Sequence, residues 1–134
     1  TGMTPKSVFQ VGGAGAVGTG SIRGMPCLAH LQDAGFAIWP FDAPRAGAPV
    51  AVEIWPRLCY AEPVVKARAA ERAAWVRRHA PALGAPQRAA ATESDDAFDA
   101  LAAGLALWRA RESFPALPAA RDEEAALEGR IWEP

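Results

Sequence analysis

SVFQVGGAGAVGTGS, residues 7–21, spells G-x-G-x-x-G at Gly13, Gly15 and Gly18, directly after the short apolar run Val8–Val11. A second apolar run, FAIWPF at 36–41, ends at Asp42. Strand, glycine loop, strand and acid come in the order of a dinucleotide-binding unit. That unit needs a helix beginning at the third glycine, because the pyrophosphate docks on the helix N-terminus. Here the helix would run from Thr19 to Ala34 and carry Gly20, Gly24 and Pro26 early on. An interior proline costs about 3 kcal/mol and each glycine about 1 kcal/mol, more than a short helix recovers from its own hydrogen bonds. The stretch is therefore expected to be a turned glycine loop, with the helix deferred to Met25–Ala34 and stopped by Gly35. Asp42, bracketed by Pro40 and Pro44, is poorly placed to meet a ribose. NAD(P) binding through Gly13–Gly18 ranks behind the readings that follow.

Composition sets the outer bounds. The 134 residues, 51% of them hydrophobic, suffice for one domain with a core. A formal net charge of −1 and a pI near 6.1 do not mark a polyanion binder, so contact with nucleic acid would need a local basic surface. Cys27 and Cys59 sit in apolar contexts without a C-x-x-C pair and read as buried reduced thiols. His30 and His79 show no metal-ligand spacing. No apolar run is long enough to span a bilayer, and TGMTPKS is not a signal peptide, so a cytoplasmic location without a membrane partner is expected.

Further along, Phe36–Phe41 and Pro49–Pro56 read as strands, the second β-branched and closed by proline at both ends. Pro63 suits the first turn of a helix reaching His79, and 80–93 reads as a small-residue loop. The helix after Ser94, lasting to about Arg111, carries the clearest signals. A short helix around Glu123–Leu127 and an extended Arg130–Trp132 close the chain. Strands alternating with helices imply an α/β domain with at least part of its sheet parallel.

Three acids resist ordinary explanations. From Ala100 to Trp108 the helix has no polar side chain, and a helix apolar all round is expected to be buried all round. Ser94 as N-cap and the helix dipole account for Asp95 and partly for Asp96. Asp99 lies a turn further in and faces small alanines, so it needs a cation, a hydrogen-bond partner or a metal. Glu53 alternates with Ala51 and Trp55 on one strand face, where acids are disfavoured. Each has a plain alternative: Glu53 an exposed acid on an edge strand, Asp99 a partly exposed acid or one paired with an arginine. Taken together, Glu53, Asp96 and Asp99 form a set of hard oxygen ligands suited to Mg²⁺ or Mn²⁺. Such a set clamps a phosphodiester and generates an attacking hydroxide.

The motif D-A-F-D-A-L-A-A at 96–103 resembles the D-A-x-D-A-L-A pattern on the last helix of RuvC-type resolvases, in the ribonuclease-H-like superfamily. More closely, five segments in order resemble a bacterial family of unknown function, described as ribonuclease-H-like nucleases. They are F-Q-V-G-G-A-G-A-V-G-T-G-S-I-R-G-M-P (9–26), F-A-I-W-P-F-D (36–42), V-E-I-W-P-R-L (52–58), S-D-D-A-F-D-A-L (94–101) and E-G-R-I-W (128–132). The resemblance implies a ribonuclease-H-like mixed sheet flanked by helices, with Glu53 as strand acid and Asp96 and Asp99 as helix acids around Mg or Mn. It also makes Arg57 a candidate phosphate contact, with Gly13, Gly15 and Gly18 as backbone donors to phosphate. Family members begin with an Asp-bearing strand and a hairpin, and no acid here precedes Asp33. The chain is accordingly expected to be the C-terminal portion of a longer ribonuclease-H-like domain, associating with that N-terminal segment or with another copy. A catalytically inactive domain that binds a nucleotide or a partner is the alternative.

Lys66, Arg68, Arg72, Arg77 and Arg78 against Glu71 could give a helix face that tracks a phosphate backbone, although a solvated face explains them as well. The five tryptophans read as core. Ser21 and the cysteines lack a histidine partner, which leaves no hydrolase triad.

Overall fold

A computed structural model describes residues 11, 12 and 18–134. The strand expected over Val8–Val11, apart from Val11 itself, and the loop glycines Gly13 and Gly15 lie outside these residues.

The first described helix corrects the sequence reading. Helix α1 spans Gly18–Asp33, beginning at the third glycine and passing straight through Pro26. Added β-carbons at Gly20 and Gly24 would meet nothing within 4 Å, so both positions lie on open helix surface. Pro26 and Ile22 are exposed too, and the Ile22 carbonyl that Pro26 cannot serve can turn to water. The proline penalty is thereby softened by solvent. Thr19 Oγ1 donates to the Val11 carbonyl at 2.8 Å, tying the start of the helix to the preceding chain. The far end is as expected: Gly35, at φ 90°, takes the left-handed conformation that stops α1.

Strands β1 (Ala37–Ile38) and β2 (Val50–Ala51) pair in parallel, with Ala37 opposite Val50 and Ile38 opposite Ala51. Strand β3 (Glu53–Ile54) pairs in parallel with β4 (Ile131–Trp132). The class is therefore mixed α/β, mostly helical, with two small parallel sheets among the described residues. Val50, Val52 and Ile54 pack on the core, the alternation read from the sequence, while Glu53 is exposed.

After β3 a 3₁₀ helix, Pro56–Tyr60, leads to α2 (Ala69–His79), α3 (Ala85–Thr92) and α4 (Asp95–Ala110). A second 3₁₀ helix, Arg111–Ala116, and α5 (Glu123–Glu128) precede β4. Two boundaries differ from expectation. Helix α2 starts six residues after Pro63, because the Glu71 carboxylate accepts from the Val65 amide at 2.8 Å and holds the intervening chain in a turn. Helix α3 forms where a loop was expected: Pro86 lies in its first turn and alanine dominates its body, both favourable to helix.

Helix α4 begins as read, the Ser94 hydroxyl accepting from the Ala97 amide. It is not buried all round. Its inward stripe is Phe98, Ala102, Ala103 and Ala106, whereas Trp108 is 66% exposed and lies under the Arg111 guanidinium, 4.3 Å from the ring centre. The alanines let the Pro56–Tyr60 helix pack closely on α4. Phe98, fully buried, touches Tyr60 and Trp75 with ring centres 5.2 and 5.1 Å apart. Trp39, Trp75 and Trp132 are core residues, as is Cys59, whose thiol burial pushes up in pKa; Cys27 is exposed rather than buried, and both cysteines are free. Among the described residues no helix is long and apolar enough to cross a membrane.

Candidate functional site

Asp99 lies at the top of the alanine stripe of α4, its side chain 17% exposed. The Tyr60 hydroxyl donates to Asp99 Oδ1, and Lys66 Nζ donates to Oδ2 at 2.5 Å. An acid among alanines has thus found a hydrogen-bond donor and a cation, which is what its burial requires. Its basic partner is a lysine, Lys66, not the arginine expected.

The surrounding chain is organised to bring these groups together. Pro56 starts the 3₁₀ helix that carries Tyr60, and Ala61, at φ 62°, turns the chain sharply out of it. Trp75 Nε1 donates to the Tyr60 carbonyl at 2.7 Å, fixing the backbone beneath the phenol. Burial, reinforced by the Asp99 carboxylate, holds the Tyr60 hydroxyl far above the ordinary phenol range, so it stays a donor. Arg57 is exposed three residues before Tyr60, close enough for its charge to oppose that rise. The proposed phosphate contact therefore lies beside the Asp99 network.

Arg72 is the residue that sequence reasoning misplaced. Either sequence reading of the basic segment puts Arg72 on an exposed helix face, yet its side chain is only 7% exposed. Its Nη1 donates to the Lys66 carbonyl at 2.6 Å and to Asp95 Oδ1 at 3.2 Å, while Nε and Nη2 donate to the Thr92 carbonyl. The guanidinium thereby pins the chain before α2 to the start of α4. The signal was present: Arg72 precedes Trp75 and Val76 by three and four residues, on the buried face of α2. Elsewhere on the basic segment, Arg68 pairs with Glu71 at 3.0 Å, and Arg78 and His79 pair with Glu62 at 2.6 and 3.1 Å. Much of the expected basic surface is internally neutralised.

The other proposed ligands are placed differently. Glu53 on β3 and Asp96 in the first turn of α4 are both exposed. Among the described residues no group of three or more His, Cys, Asp or Glu side chains is placed to hold a metal ion. With both Asp99 oxygens engaged as well, the described arrangement does not fit a divalent cation. Gly18 is buried at the start of α1. Asp42, the acid of the dinucleotide reading, directs Oδ2 at the Ile38 amide, 3.0 Å away, and at the Gln32 side-chain amide, 2.9 Å away.

Compared with known proteins, the chain matches no family model, and no curated protein or solved structure is similar to it at a significant level.

Proposed function

We propose that the chain is a ribonuclease-H-like, RuvC-like protein that acts on the phosphodiesters of nucleic acid, with Glu53, Asp96 and Asp99 as its acids. The observation that carries this reading is the Asp99 network. The carboxylate to which the resemblance assigns a ligand role is partly buried and fixed from two directions, and its Tyr60 partner lies within reach of the Arg57 charge. Preorganised charge of this kind is a mark of functional sites. Asp96, one turn earlier, and Glu53, on β3, are the other two acids of this reading, and both are exposed. Because the described acids do not fit a metal, no hydrolytic step is derived through one.

A second reading has its own observation. The Lys66 ammonium on Asp99 supplies the positive charge that a metal would bring, as expected of an inactive ribonuclease-H-like domain that binds a nucleotide or a partner.

The protein expressed from its complete open reading frame tests both. Single-stranded, duplex and branched DNA and RNA are incubated with Mg²⁺ or Mn²⁺, using the wild type and Asp99→Asn. Cleavage at least about a hundredfold slower in Asp99→Asn supports the nuclease, since losing one group acting in the transition state costs roughly that much. Binding without cleavage supports the inactive domain. NAD(P) binding would raise the melting temperature on adding cofactor; with Asp42 engaged in its turn, no rise is expected.

A further inference from the structure

We propose that the cleft between β2 and the C-terminal end of α4 binds a small aromatic carboxylate, with Arg45 and Arg111 as the groups that hold the anion. None of the lining residues belongs to the Asp99 network, so the inference stands apart from the functional reading above.

The cleft measures about 520 Å³, within the usual range of small-molecule sites. Its walls are apolar: Val50 and Val52 on the β2 side, Leu107 from α4 and Phe114 from the second 3₁₀ helix. These four side chains also pack on the core, and the Phe114 ring centre lies 5.3 Å from that of Trp132. The fold therefore holds the walls in place without a ligand. Two charged side chains line the cleft, and both are arginines. Arg45 is placed by a tight turn, in which the Ala48 amide donates to the Arg45 carbonyl at 3.1 Å and Gly47, at φ 79°, supplies the left-handed residue. Arg111 is held at the opposite wall. Its Nη1 donates to the Trp108 carbonyl at 2.7 Å, and its guanidinium lies over the Trp108 ring. Its Nε also meets Glu112 at 3.2 Å, but both side chains are exposed, and such surface pairs contribute little. Neither Glu112 nor Asp42, whose carboxylate feels the Arg45 charge, lines the cleft. Two guanidinium forks over an apolar floor suit a carboxylate or a phosphate carried on an apolar body. The rest of the lining selects between them. Among the described residues no Asp, Glu, Asn, Gln, Ser or Thr side chain lines the cleft. Ribose hydroxyls and base edges would lose water there without side-chain partners in return. A flat hydrocarbon ring has no such loss and gains contact with Phe114 and Leu107. The lining thus favours an aromatic carboxylate over a nucleotide.

Titration of the 134-residue chain with 1-naphthoate, followed by backbone amide chemical shifts, tests this. The shifts should centre on residues 45–52 and 107–115 and saturate at about millimolar concentration, the strength expected of so small a ligand. The neutral analogue 1-naphthylmethanol should bind at least about tenfold more weakly, and so should inorganic phosphate and adenosine monophosphate. Arg45→Met and Arg111→Met should each weaken naphthoate binding about tenfold, as loss of one charge-assisted hydrogen bond does. Arg77→Met, an exposed arginine on α2 outside the cleft, should bind as wild type does. Both cleft arginines are exposed, so the variants should fold, which near-UV circular dichroism checks. Should Arg111→Met disturb the fold through Trp108, Arg45→Met carries the comparison. Failure to saturate, shifts centred elsewhere, equal binding of 1-naphthylmethanol, or wild-type affinity in Arg45→Met overturns the proposal. Tighter binding of adenosine monophosphate in the same cleft overturns it as well, by making the site one for nucleotides.

Discussion

The Asp42 carboxylate closes the turn after β1, and it shows how an acid that looks available in sequence can be engaged internally. Its Oδ2 accepts from the Ile38 amide and the Gln32 side chain, and these bonds, the amide first, hold its pKa below the ordinary aspartate value. A group whose folded pKa is depressed contributes stability above its unfolded pKa, and that contribution is lost as pH falls through the folded value. The stability gap between wild type and Asp42→Asn should therefore be constant from neutral pH down to about 5 and shrink below about pH 4, near the unfolded aspartate pKa. Urea titrations at a series of pH values measure it, and a gap that widens on acidification would contradict the assignment. Asp99 gives the complementary lesson. Its need for a partner followed from its place among alanines, but the partners, Tyr60 and Lys66, lie 39 and 33 residues away in sequence. Distance along the chain concealed them.

Helices show where local rules suffice. For α4, the Ser94 cap, the first-turn acids and the run of good helix formers all agree, and the helix begins where they place it. One local defect remains: Gly104 lies mid-helix, exposed, and a β-carbon there would meet nothing within 4 Å. Gly104→Ala should therefore stabilise the protein by about 1 kcal/mol, read as a higher denaturant midpoint at an unchanged slope. A lower midpoint would mean that the open space is filled in solution. Helix α1 shows where local rules fail. Adding the costs of Gly20, Gly24 and Pro26 treats the helix as isolated, whereas α1 is stopped by Gly35 and packs against β1. Contacts beyond the segment outweigh the propensity deficit.

Phe98 links two parts of the core. Phe98 has no exposed surface and joins Tyr60, on the 3₁₀ helix, to Trp75, on α2. Phe98→Ala should cost about 3–5 kcal/mol, a large share of the stability of a domain this size. Thermal melting followed by near-UV circular dichroism would show a strongly lowered or uncooperative transition; a loss under about 1 kcal/mol would mean that the neighbouring rings close the cavity. Because Phe98 immediately precedes Asp99 and touches Tyr60, the same substitution should loosen the acid network. Burial pattern, caps and stop signals are properties of short segments, so the extended character of Pro49–Pro56, α4, α5, β4 and the Gly35 stop could be read from the residues alone. The splitting of Pro49–Pro56 into β2 and β3, in two different sheets, could not. Charge pairing is a property of positions that folding brings together. Only the packing of the Pro56–Tyr60 helix and the chain before α2 onto α4 could show that Arg72 is buried, that Trp108 is exposed, and that the cation on Asp99 is the chain's own Lys66.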